Sequence, residues 1–140
     1  SLKVRSPLFN AIMYDKGGMS RSERELGALG ASMVNHCIYC AAVHAMRHAQ
    51  IEKSTEVTDK LFRDGAKADL GTRDRAIFDF AVALSDCPSQ AGPEHMQALK
   101  EAGLNEAEVL DLILSASLFG WANRLMHVLG DPVRLEDAGK

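Results

Sequence analysis

The sequence predicts an all-α domain: a compact, single-domain helical bundle. Three observations carry that expectation. Apolar and polar residues never alternate for long, and β-branched residues are scattered, so strand signals are nearly absent. Helix starts and stops recur along the whole chain. Between them, apolar residues return at helical spacing.

The elements follow in order. Residues 8–15 form a short helix stopped by Gly17-Gly18. Ser20 with Glu23, and the overlapping Ser22 with Glu25, both fit a capping box. Leu26, Leu29, Met33 and Val34 then repeat along a second helix. Asn35-His36 marks its end, because asparagine tolerates the left-handed conformation that closes helices. A third, alanine-rich helix runs from Cys37 to about Gln50. Ser54 or Thr55 caps a fourth, ending near Gly65. Thr72 opens a fifth, which carries Ala76, Ile77, Phe80, Ala81 and Leu84 and stops at Cys87-Pro88. Pro93 suits a first turn and Gly103 a C-terminal cap. Asn105 and Glu108 form a last capping box, for a helix reaching Leu129 with Gly130 and Pro132 beyond.

That last helix has no charged residue between Leu112 and Ala122. A helix without a wet face is central in a core or covered by another subunit, so the chain is expected to be a homo-oligomer. The chain has 140 residues, the length of one domain, and is 46% apolar and 25% charged, the balance of a globular protein. One domain over 1–140 is expected. The net charge of -3 argues against nucleic acid or acidic membranes as partners. No charged-then-apolar leader opens the sequence. The run between Asp111 and Arg124 is shorter than the ~20 residues that span a bilayer. A cytoplasmic protein with no membrane partner is the expectation.

Chemistry concentrates in Cys37-Ile38-Tyr39-Cys40 and His44. On a helix, Cys40 and His44 lie one turn apart on one face, and Cys37 sits one turn before Cys40. Three cysteines are few for a disulfide scaffold, so a CxxC pair points to redox chemistry or metal. A helix start near Cys37 favours a thiolate, and His44 can take the proton of Cys40. A sulfenic acid on one sulfur would be resolved by the other. Zinc is the rival reading, with Cys37, Cys40, His44 and either His48 or Glu25 as ligands. Glu25 precedes Cys37 by twelve residues, about 18 Å along an unbroken helix, and meets the thiols only if the chain reverses near Asn35.

Glu25, Cys37, Cys40 and His44 in this register resemble the core motif of the alkyl hydroperoxidase D family, within the carboxymuconolactone decarboxylase-like superfamily. Ser22 to Leu26, Asn35 to Cys40 and Leu118 to Leu125 are similar to its peroxidase-related branch, so the resemblance spans roughly residues 20–130. It implies trimers or hexamers and thiol-dependent reduction of hydroperoxides without metal, flavin or other cofactor. A dithiol, or a lipoyl-type or thioredoxin-like protein, would be the reductant. By that likeness Cys40 is peroxidatic, Cys37 resolves, and Glu25 and His44 relay protons. Tyr39 departs from the pattern, standing where the best-studied type has a second histidine. Tyrosine is a poor base at neutral pH, with a pKa of about 10. The other functional readings are a redox sensor without efficient turnover and a zinc-stabilised interaction module.

Several residues carry blander expectations. Cys87 reads as a small buried apolar residue outside the chemistry, His48 as a surface residue, and His36 as a helix-break residue. Glu23 reads as a solvated first-turn acid. Phe119 and Trp121 read as core or interface, and Arg124 as an interface residue. His95 and His127 carry no functional signal.

Overall fold

A computed structural model describes residues 2–129. The described residues form seven α-helices: α1 (Leu2–Tyr14), α2 (Arg21–Val34), α3 (Ile38–Glu52), α4 (Glu56–Asp64), α5 (Thr72–Ser85), α6 (Pro93–Glu101) and α7 (Glu106–Leu129). A short 3-10 turn, Gly65–Lys67, follows α4. The expected all-α bundle is what the chain forms, and no strand occurs among the described residues. Gly130 and Pro132, the expected stop of the last helix, lie outside them.

Local signals place most boundaries. Ser20 caps α2: its hydroxyl accepts from the Glu23 amide, and the Glu23 carboxylate accepts from the Ser20 amide. Asn105 and Glu108 make the same reciprocal pair ahead of α7. Two expectations shift. Helix α1 begins earlier than residue 8 and runs through Pro7, whose fixed φ suits a helix although it donates no bond. At the end of α2 the left-handed residue is His36, with φ 55°, and not Asn35. The Cys37 amide donates to Ser32 O and the His36 amide to Met33 O, a Schellman closure in which His36 holds the left-handed position.

Helix α2 is the centre of the bundle, packed against α3, α5 and α7. Small residues make this possible. A Cβ on Gly27 would stand 2.7 Å from Leu112 of α7, and one on Gly30 would stand 3.1 Å from Ala81 of α5. The two neighbours therefore approach α2 closely, and every residue from Arg24 to Ser32 is buried. Its buried charges find partners. Arg24 donates to the carbonyls of Ile12, Asp15 and Gly17 and to Asp111 of α7, so one guanidinium ties α1 and its following loop onto the core.

Of the two places its apolar run allows, helix α7 is not central in the core. Leu112, Ala116, Leu118, Phe119 and Ala122 face inward, while Leu110, Leu114, Trp121 and Leu125 form an exposed stripe at helical spacing. Over its 24 residues α7 is long and apolar enough to cross a membrane by length and composition. The shorter charge-free run between Asp111 and Arg124 had argued otherwise. In the fold its inner face packs on α2 and α5, as a core helix does.

Candidate active site

The reversal at residues 35–37 lays α3 against α2 and brings Glu25 beside His44. His44 Nδ1 donates to Glu25 Oε2 at 2.6 Å, and the side chains are 2% and 0% exposed. Arg21 approaches the other oxygen of Glu25 at 3.4 Å. An ionised Glu25 keeps the imidazole hydrogen on Nδ1, which leaves Nε2 free to accept a proton. The edge-to-face contact of Phe119, ring centroids 4.0 Å apart, packs against the same imidazole.

Cys37 is the N-cap residue of α3 and Cys40 lies in its first turn. Their sulfurs are paired as a disulfide, with Cα atoms 5.3 Å apart, and both side chains are buried. In this oxidised state the two sulfurs are bonded to each other, and no group of three or more His, Cys, Asp or Glu among the described residues is placed to hold a metal.

Cys40 and His44 open into a cavity of about 300 Å³. Phe9 and Tyr14 of α1, Tyr39 and Arg47 of α3, and Phe119 of α7 help to enclose it. The α1 wall depends on the Arg24 clamp. Nothing in the sequence singled out α1 as part of the site, and Phe119 was read only as core or interface. The hydrophobic spacing of α7 correctly buries Phe119, but spacing does not say that an imidazole lies opposite.

Asn123 was also missed. It is fully buried on α7, donates to Ser32 Oγ at 3.1 Å, and accepts from Asn35 Nδ2 at 3.2 Å. His127 reaches the Asn35 carbonyl from the same helix. Together these bonds hold the turn that carries Cys37.

Three other expectations change. Cys87 is exposed beyond the end of α5, because the chain leaves the core at Asp86 before the cysteine is reached. His48 is 3% exposed and its Nδ1 has no hydrogen-bond partner. It follows His44 by one turn, so it shares the face turned toward α2. It lines a second cavity with Glu23, Glu52, Glu56 and Asp74. Glu23 is half-buried rather than solvated. Burial opposes its ionisation, but bonds from Arg73 and Ser20 outweigh that and hold its carboxyl below the usual value. The Asp74 carboxyl is pushed up, first by burial and then by Glu23 and Glu52, against the pull of His48. His36, Trp121 and Arg124 are exposed, and none of them lines the Cys40 cavity.

With that geometry in hand, likeness to known proteins is informative. Residues 2–56, the segment that carries Glu25, Cys37, Cys40 and His44, match the carboxymuconolactone decarboxylase family. The chain also superposes on the alkylhydroperoxidase AhpD core of a peroxidase-related protein from Ralstonia eutropha JMP134. The TM-score is 0.83 at 28% identity, over 96% of this chain and 70% of that one. The chain has an alkylhydroperoxidase D-like fold. A peroxidase-related protein from Silicibacter sp. TM1040 shares the fold, with a TM-score of 0.84 at 23% identity over 99% of this chain and 73% of that one. So does the debrominase Bmp8, with a TM-score of 0.80 at 18% identity over 95% and 70%. No curated protein sequence matches the chain. The match over α1 to α3 extends the likeness upstream of residue 20, where the motif alone begins it.

Proposed function

We propose that this chain is a thiol-dependent peroxidase that reduces hydroperoxides through Cys40 and Cys37. The observation that carries the reading is the buried Glu25–His44 pair, whose imidazole opens into the same cavity as Cys40. In the reduced protein His44 takes the Cys40 proton, and the thiolate attacks the outer oxygen of ROOH. The O–O bond breaks, the relay returns a proton to the leaving alkoxide, and ROH departs from a Cys40 sulfenic acid. Cys37 then attacks that sulfur, water leaves, and the disulfide forms. A dithiol, free or on a lipoyl-type or thioredoxin-like protein, restores both thiols by exchange.

Hydroperoxide consumption by the reduced protein, measured with a panel of dithiols that includes dihydrolipoamide, tests the reading. Sustained consumption is expected. Disulfide formation without turnover would make the chain a redox sensor, and no oxidation of the pair would remove the peroxidase reading.

Self-association belongs to the same proposal. Trp121 is 47% exposed and Leu110 54%, and with Leu114 and Leu125 they leave an apolar stripe along α7. Further copies of the chain would cover it, and the resemblance to the alkyl hydroperoxidase D family implies a homotrimer or homohexamer. Sedimentation equilibrium at micromolar concentration is expected to show that species, whereas a clean 15.2 kDa monomer would refute it.

A further inference from the structure

The Cys40 cavity has a charge that the peroxidase chemistry does not need. Arg5 of α1 and Arg47 of α3 both line it, and both are half-buried. Among the described residues neither guanidinium has a carboxylate within ion-pair distance. Arg47 donates to the neutral Tyr14 hydroxyl at 2.9 Å, and Arg5 lies 4.0 Å over the Phe9 ring. A ring face satisfies the flat side of a guanidinium and leaves its edge donors free. A third arginine, Arg21, stacks on another cavity aromatic, Tyr14, at 4.1 Å.

Most other described arginines meet a carboxylate: Arg24 meets Asp111, Arg73 meets Glu23 and Glu108, and Arg75 meets Asp79. Arg124, exposed on α7, has no carboxylate partner among the described residues and bonds only to the Gly120 carbonyl. Arg5 and Arg47 differ from it in being half-buried against the cavity walls. Half-buried cations against apolar walls attract an anion more strongly than solvated ones do, and a guanidinium offers paired donors that match a carboxylate. The walls between them are aromatic: Phe9, Tyr14, Tyr39 and Phe119. At about 300 Å³ the space is small for a ligand site and suits one ring with short substituents.

We propose that the cavity above Cys40 is an organic-anion site, which selects single-ring or similarly compact hydroperoxides bearing a carboxylate held by Arg5 and Arg47. The hydroperoxide part rests on the peroxidase reading, whereas the anion part does not. The carboxylate takes no part in the chemistry. It orients the ligand so that the peroxide end, and not the acid, is presented to the sulfur.

Two measurements separate the parts. Calorimetric titration of the oxidised protein with 4-isopropylbenzoate and with its neutral amide needs no turnover. The carboxylate is expected to bind about tenfold or more tightly, as one good charge-assisted contact provides. The Arg5→Gln, Arg47→Gln double variant is expected to bind the two alike. Equal binding by the unaltered protein, or a preference that survives in the double variant, would overturn the inference. In turnover, 4-carboxycumene hydroperoxide should exceed cumene hydroperoxide in kcat/KM, mainly through KM, and Arg47→Lys should keep part of that preference. Selective carboxylate binding without turnover of any hydroperoxide would leave the anion site standing and remove the peroxidase reading. Turnover with no discrimination would do the reverse.

Discussion

Cys40→Ser is expected to abolish hydroperoxide turnover, while Cys37→Ser leaves a single unresolved burst. The asymmetry follows from position. Cys40 lies one helical turn before His44 on α3 and lines the cavity with it, whereas Cys37 caps the helix and lies outside the cavity lining. Serine keeps the size of the side chain, but its hydroxyl is far too weak an acid to supply the nucleophile that a thiolate is. Without Cys37 the sulfenic acid on Cys40 still forms once, then waits for external thiol or oxidises further. Rapid-mixing peroxide consumption, with mass spectrometry of the trapped sulfur, distinguishes the two variants. A burst retained in Cys40→Ser and lost in Cys37→Ser would exchange the roles.

Glu25→Gln should lower kcat/KM by roughly 10²–10⁴, the range of a positioned acid–base group. The carboxylate is fully buried, 2.6 Å from His44 Nδ1, and touches no solvent through which another group could replace it. An amide of the same shape still accepts a hydrogen bond but no longer stabilises an imidazolium by charge, so His44 becomes a poorer base for Cys40. Stability is expected to change little, because the bond and the packing volume persist. Glu25→Leu differs: it leaves the buried Nδ1 unpartnered and should destabilise the fold by about 1–3 kcal/mol. A pH–rate profile separates positioning from proton transfer. If Glu25→Gln kept both the rate and the profile of the unaltered protein, Glu25 would be structural only.

Much of the fold is legible residue by residue. Ser20 with Glu23, and Asn105 with Glu108, announce two helix starts because a capping bond joins residues three apart. Gly17, Gly18 and Gly103 stop helices where φ is positive. The site is legible only in part. Glu25 can meet Cys37, Cys40 and His44 only if the chain reverses near Asn35, and the structure contains that reversal. The partners supplied by α1 are invisible to any such spacing. Phe9, Arg5 and Tyr14 reach the cavity because Arg24 holds the chain that follows α1, through carbonyls that no sequence pattern marks.

What the sequence determined by itself is the set of helices, most of their limits and the candidate CxxC–His44 cluster, since caps, left-handed turns and i, i+4 neighbours are local relations. Only the tertiary structure decided which helix is central and which side chains are buried. The apolar run of α7 allowed it to be central or covered by another subunit; Gly27 and Gly30 let α7 and α5 close upon α2, so the more polar helix lies innermost. The packing of α3 on α2 buries Glu25 and His48, while Trp121 and Cys87 stay in the open. Burial is a property of what packs opposite, and a single helix does not encode its neighbour.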